Sequence, residues 1–260
     1  MSRATQAELL EQRIAENSAS QEVDLVSWIF DRVSMVAGQV LELCCGTGNQ
    51  TLRMLKEVGS GGRVVALDIS REALASLNER AGTDRDRLVT VQGELDDLSS
   101  SLRGLRLEPP TFDFVFCAYG LYYSKSATKT LDDVCGWLKS GGRIVVVGPF
   151  GPNNRPLFDL IRRAGVRISE PVIDSSERFM TKTVMPWAVV RFNSVRVYTL
   201  VNTVRWKTPE RVLNYWQNTT FYSAERRGEF ERLLKQHFEQ HGEFANEKWV
   251  MLMEMNNARS

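Results

Sequence analysis

The chain has 260 residues, 33 of them basic and 32 acidic for a net charge of +1, and 43% of it is apolar. That length can bury a full α/β core but is short for two independent domains, and the near-neutral balance without long charge runs argues against a polyphosphate track or an anionic membrane surface. No apolar stretch approaches the roughly 18 uninterrupted residues of a membrane span, and residues 1–22 lack a signal peptide's apolar run, so a cytoplasmic location is expected.

Residues 7–14 and 23–33 carry apolar side chains at helical spacing and predict two N-terminal helices. Short apolar or β-branched runs bounded by turn residues follow at 40–43, 63–67, 88–91, 112–118 and 143–148, and they read as buried strands. Helical patterns separate them at 50–58, 71–80 and 127–138, the last ending at Lys139-Ser140-Gly141-Gly142. This alternation predicts a mostly parallel sheet with helices on both faces. Further along, helices are expected at 157–164, 209–216 and 224–238 and strands at 195–206 and 248–255, while 166–193 fits neither period and reads as irregular cover. Cys44, Cys45, Cys117 and Cys135 lack the paired spacing of a zinc site and read as free thiols, so no metal is expected.

The strongest local signal is Val40-Leu41-Glu42-Leu43-Cys44-Cys45-Gly46-Thr47-Gly48-Asn49-Gln50-Thr51, a strand that turns tightly into a helix. Gly46 and Gly48 let the backbone approach a ligand, and the helix start presents N–H groups. Such a turn is also a plain strand-to-helix connection. Its context adds Asp68, at the end of the next strand and close to twenty residues beyond Gly48, where a carboxylate can accept both hydroxyls of a ribose. The competing role, a helix N-cap, suits Ser70 better. Glu42 would repel a pyrophosphate but suits an ammonium group, and the glycine spacing is not the G-x-G-x-x-G of a dinucleotide site. After the third strand, Glu94 is placed to accept an adenine's exocyclic amine, unless Glu94, Asp96 and Asp97 are simply a solvated acidic turn.

Residues 36–150 therefore resemble the class I S-adenosylmethionine (SAM)-dependent methyltransferase family, in the branch of small-molecule and ubiquinone-type methyltransferases. The matching segments are 40–48, 64–70, 93–98, 112–123 and Leu138-Lys139-Ser140-Gly141-Gly142-Arg143, in family order. The resemblance implies an α/β, Rossmann-like, seven-stranded sheet whose last strand runs antiparallel, with helical lid segments. It implies that Glu42 and the backbone of Cys44, Gly46 and Gly48 serve the methionine end of SAM, Asp68 the ribose, Glu94 and Leu95 the adenine, and Ala118 and Tyr119 the floor near the sulfonium, with Thr51 and Ile69 as further cofactor-binding positions. Two departures stand out: Cys44 replaces a common glycine, and Glu94 a commoner aspartate. The expected organisation is a helical cap over 1–35, a SAM-binding core over 36–150, and a substrate lid with completing strands over 151–260.

Methyl transfer from a sulfonium is a direct displacement, so alignment and exclusion of water count for more than a nucleophile. Tyr119, Tyr122 and Tyr123 are acceptor-pocket candidates, with packing as the competing role. His237 and His241 lie four apart on one helix face and lack a third ligand, so packing is expected and no general base is assigned. Arg13, Asn17, Trp187, Arg191, Tyr215, Trp216, Phe221 and Tyr222 are lid candidates. The expected activity is methylation of an oxygen or nitrogen of a small molecule, in natural-product biosynthesis as one setting. A nucleic-acid methyltransferase is the nearest rival, but Cys117-Ala118-Tyr119-Gly120 stands where base methyltransferases grip a flipped base with a Pro-Pro-aromatic element. A non-catalytic SAM-binding protein and a hydride-transfer enzyme stand as further rivals.

Overall fold

The computed structural model describes residues 7–34 and 38–258. The expected boundary between cap and core, at 35/36, falls on residues 35–37, outside the described residues. In chain order the elements are α1 (Ala7–Ser18), α2 (Leu25–Phe30), β1 (Gln39–Leu43), α3 (Asn49–Glu57), β2 (Arg63–Asp68), α4 (Arg71–Arg80), β3 (Leu88–Gln92), α5 (Leu98–Gly104), β4 (Phe112–Ala118), α6 (Ala127–Trp137), β5 (Leu138–Pro149), α7 (Arg155–Arg163), α8 (Glu170–Ile173), α9 (Met185–Arg191), β6 (Phe192–Trp206), α10 (Pro209–Gln217), α11 (Arg227–His241) and β7 (Phe244–Ala258).

The seven strands form one sheet in the order β3-β2-β1-β4-β5-β7-β6. From β3 to β5 all pairings are parallel, and β7 enters beside β5 in the opposite direction. The expected mixed sheet with an antiparallel last strand is therefore present. Val40, Leu41 and Leu43 on β1 and Val64 to Leu67 on β2 are buried. Such continuous apolar runs are what a parallel sheet covered on both faces requires. The sequence of strands reverses its direction of growth at β1 and β4, which makes their C-terminal ends the natural ligand crevice.

Three expectations change. Residues 166–193 are not irregular cover: from 170 to 191 they form α8, two π turns at Asp174–Arg178 and Met180–Val184, and α9, and β6 begins at Phe192. α5 follows β3 where no helix was predicted. Residues 138–142 open β5 instead of ending a helix, with a register shift opposite Phe112 and Phe114.

The chain divides into two compact units. One comprises Val26–Gly148, Phe179–Tyr198 and Met251–Ser260 and holds the parallel strands. The other comprises Met1–Leu25, Pro149–Arg178 and Thr199–Val250. The core of the second is built from Leu157, Phe158, Leu160 and Ile161 of α7, Trp206, Trp216 and the α11 residues Phe230, Leu233 and Leu234. No helix among the described residues is long and apolar enough to cross a membrane.

Candidate functional site

Glu42 sits near the end of the central strand β1, between Ala66 of β2 and Phe116 of β4. Flanked on both sides by strands, its side chain is only 2% exposed. The Thr51 hydroxyl, from the first turn of α3, donates to Glu42 Oε2. Burial pushes the carboxyl pKa from 4.5 to about 8; the Thr51 hydrogen bond works against that rise and the nearby Asp68 charge adds to it. Thr51 thus holds Glu42, and it is itself fully buried.

Beyond Leu43 the chain reverses through three left-handed residues, Cys44 (φ 56°), Gly46 (φ 54°) and Gly48 (φ 88°). Glycine accepts this conformation freely, whereas an L side chain pays for it. Gly48 also has a steric reason: a Cβ there would lie 2.2 Å from Leu77 Cδ1. At Cys44 the side chain has room because the residue facing it, Gly120, has none. A Cβ at Gly120 would lie 2.2 Å from Cys44 Cβ and 2.5 Å from its Sγ, with Cys117 Sγ at 3.6 Å. The hydrogen bond with Cys117, together with burial, raises the Cys44 thiol well above its ordinary range, and burial does the same to Cys45. All four cysteines are free.

Asp68, at the end of β2, binds this turn directly. Its Oδ2 accepts from the Gly46 N–H at 2.8 Å and its Oδ1 from the Ser70 N–H at 2.9 Å. Ser70, not Asp68, caps α4, its Oγ accepting from the Ala73 N–H at 3.2 Å. Arg80, from the last turn of the same helix, clamps the outer side of the turn, donating to Thr47 O at 2.6 Å and Asn49 Oδ1 at 2.9 Å. The residue that caps α3 is Gly48, which has no side chain to accept from the helix's first N–H groups.

The acidic turn after β3 divides into two roles. The Gly93 N–H donates to Asp68 O at 3.0 Å, which seats Glu94 next to the end of β2 with its side chain exposed. Asp96 instead accepts from Ser124 Oγ at 2.7 Å and from the Lys125 N–H at 3.1 Å, tying this turn to the segment after β4. Ile69 is 48% exposed although apolar, while Leu95 is buried. Tyr119 (φ 55°) follows Ala118 and donates its N–H to Val147 O at 2.8 Å. Tyr122 packs on Tyr123 at 4.7 Å and edge-on to Phe179 at 5.8 Å. Tyr123 is 55% exposed.

The crevice thus gathers Glu42, Cys44, Gly46, Gly48, Asp68, Ile69, Glu94 and Tyr119 on the C-terminal ends of neighbouring parallel strands. Sequence reasoning missed Arg80 and Gly120. Arg80 reads only as a basic residue in a helix's last turn, and nothing in the spacing of Gly120 announces its contact with Cys44.

The lid candidates have other partners. Trp187 Nε1 and Arg191 Nη2 both donate to Asp132 Oδ1 at 2.9 Å. Trp216 is buried against Phe230 at 4.2 Å and Tyr222 at 4.9 Å, and Phe221 meets Phe158 at 5.4 Å. Arg13 and Asn17 lie beside Tyr215. His237 packs on His241 with the rings tilted and their centroids 4.5 Å apart, and contacts Glu243 O at 3.1 Å; burial, followed by the His241 charge, lowers its pKa.

Residues 40–142 match the family described as a methyltransferase domain. Among curated relatives, the demethylmenaquinone methyltransferase of Shouchella clausii is 32% identical over 124 residues, 46% of this chain and 50% of that protein. The ubiquinone/menaquinone biosynthesis C-methyltransferase UbiE of Hydrogenovibrio crunogenus is 33% identical over 119 residues, 46% of this chain and 44% of that protein. The chain thus spans about half the length of these relatives. In fold it is similar to the YcgJ protein of Bacillus subtilis, with a TM-score of 0.62 at 13% identity, covering 90% of this chain and 98% of that one. It is also similar to phosphoethanolamine N-methyltransferase 2 of Haemonchus contortus, with a TM-score of 0.55 at 17% identity, covering 96% of this chain and 56% of that one.

Proposed function

We propose, from the match of residues 40–142 to the methyltransferase domain family, that the chain binds S-adenosylmethionine at the ends of β1 to β4 and transfers its methyl group to a small molecule. The observation that carries this reading is the tie between Asp68 and the Gly46 N–H beside the buried Glu42. It supports a site in which one carboxylate shapes the turn and still faces the crevice. A carboxylate offers about four acceptor positions. Gly46 and Ser70 use two of those on Asp68, which leaves capacity for the two hydroxyls of a ribose.

In this reading the backbone of Cys44, Gly46 and Gly48 lines the methionine end. Glu42, held by Thr51, answers the α-ammonium, and a cation beside it favours the ionised carboxylate. Exposed Ile69 supplies an apolar face for the adenine, and Glu94 accepts from its exocyclic amine. Leu95, being buried, contributes through its backbone. Ala118 and Tyr119 form the floor by the sulfonium, and Tyr119, Tyr122 and Tyr123 line the acceptor side. SAM supplies an electrophilic methyl group when bound. The protein's part is to align the acceptor with it and keep water out.

The sequence favoured an oxygen or nitrogen acceptor. The relative named as a C-methyltransferase supports carbon as a second reading.

Thermal unfolding with SAM, S-adenosylhomocysteine or NAD tests the cofactor. A ligand at a hundred times its dissociation constant adds about 2.7 kcal/mol, so SAM and S-adenosylhomocysteine should raise the melting temperature and NAD should not. Asp68→Ala should abolish most of that rise; an unchanged rise in the variant would refute the ribose assignment. Methyl-labelled SAM with a metabolite extract tests turnover, and binding without labelled product counts against an enzyme.

A further inference from the structure

Within the unit of Met1–Leu25, Pro149–Arg178 and Thr199–Val250, two cations converge on one phenol. Lys248 Nζ donates to the Tyr215 hydroxyl and to Asn154 Oδ1, each at 2.6 Å, and lies 4.4 Å from the Tyr215 ring centroid. Arg13 and Asn17 are four residues apart on α1 and so share a face. That helix docks on α10 through Glu16, which accepts from Arg211 Nε at 3.0 Å and Asn214 Nδ2 at 3.1 Å. The docking brings Arg13 and Asn17 to Tyr215, the neighbour of Asn214 in sequence.

Among the described residues, no carboxylate balances these charges. Glu16 is engaged by Arg211 and Asn214, and Glu247 accepts from Trp249 Nε1 at 3.0 Å. Neither Arg13 nor Lys248 forms an ion pair with a described residue. Around them, Arg13 Nε, Asn17 Oδ1 and Trp206 Nε1 are buried without a hydrogen-bond partner, the Trp206 ring lying 5.1 Å from that of Tyr215. Buried polar groups are nearly always satisfied, and desolvated cations are costly without a counter-charge. Burial by itself raises the Tyr215 phenol, yet the charges of Lys248 and Arg13 bring it below its ordinary value, a sign of net positive potential at this point.

We propose that Arg13, Lys248 and Tyr215 form a binding site for the anionic group, carboxylate or phosphate, of a small molecule. The group pairs with the guanidinium and the ammonium and accepts from the phenol. The site does not depend on the cofactor assignment, because its residues are not among those proposed to bind SAM.

Calorimetric titration of the full chain with inorganic phosphate, and separately with acetate, at constant ionic strength tests this. S-adenosylhomocysteine is titrated into the same samples as the control for folding. The expected result is saturable binding of one anion per chain, weakened at least tenfold in Arg13→Gln and in Lys248→Gln and kept within threefold in Lys248→Arg. S-adenosylhomocysteine affinity should be the same in all four proteins. Binding of phosphate alone identifies a phosphate ligand, and binding of acetate alone a carboxylate; either supports the site. Absence of saturable anion binding, or binding that both glutamine variants leave intact, overturns it.

Discussion

Replacing Glu42 with glutamine should remove most of a pH dependence that the buried acid imposes on stability. Its carboxyl is 2% exposed, and burial raises its pKa from 4.5 to about 8. The unfolded chain gives up this proton near 4.5, so between 4.5 and about 8 the folded chain holds one proton more. The stability from that proton is therefore complete below pH 4.5 and lost as pH rises through 8. The decline is about 1.4 kcal/mol per pH unit, on the order of 5 kcal/mol across the window. Glutamine preserves the shape and can still accept from the Thr51 hydroxyl, but it does not titrate. Urea unfolding of both proteins without cofactor, from about pH 5 to 8, gives the comparison. Relative to the wild type, Glu42→Gln should gain stability steadily as pH rises, by several kcal/mol in all. Parallel curves for the two proteins would refute the premise that the folded chain keeps Glu42 protonated.

Two predictions concern the turn. Gly120→Ala should destabilise the chain by about 1–3 kcal/mol, the usual cost of overpacking, because its Cβ meets Cys44 Cβ at 2.2 Å. Adding Cys44→Gly should recover much of that loss, since the next atom, Cys117 Sγ, stands at 3.6 Å; additive effects in a double-mutant cycle would count against direct contact. Gly48→Ala combines a left-handed φ of 88° with a clash against Leu77. It should cost more than about 1 kcal/mol of stability and weaken S-adenosylhomocysteine binding in calorimetry, and a neutral outcome would show that the turn can rearrange.

The parallel strands were legible because each is an almost unbroken apolar run, the pattern that burial on both faces demands. The segment 138–142 was not. Lys139-Ser140-Gly141-Gly142 carries the marks of a helix stop, but the strand begins there and Lys139 Nζ reaches Asp113 Oδ2 at 2.9 Å. α5 escaped notice because Leu98 and Leu102 are its only buried side chains, separated by serines. In 166–193 the π turns add residues to successive helical turns and slide the apolar side chains out of the 3.6-residue period. A helical stretch there reads as no period at all.

At the site, Glu42 and Asp68 were readable because strand ends place them, and that placement follows from the apolar pattern. What spacing could not supply was how their neighbours use them. The Asp68 carboxylate also holds the Gly46 N–H, so a substitution there both removes the proposed ribose contact and releases the turn. Asp68→Asn then becomes informative beside Asp68→Ala, since the amide oxygen can keep one backbone hydrogen bond while the charge is lost. Cys44 carries the same lesson further. It keeps the left-handed backbone that glycine adopts freely, and its side chain stands where a Cβ at position 120 would clash. Position 44 can hold a side chain because position 120, just past β4, has none. A change at either position is therefore felt both by the turn after β1 and by the chain leaving β4 toward Tyr122 and Tyr123.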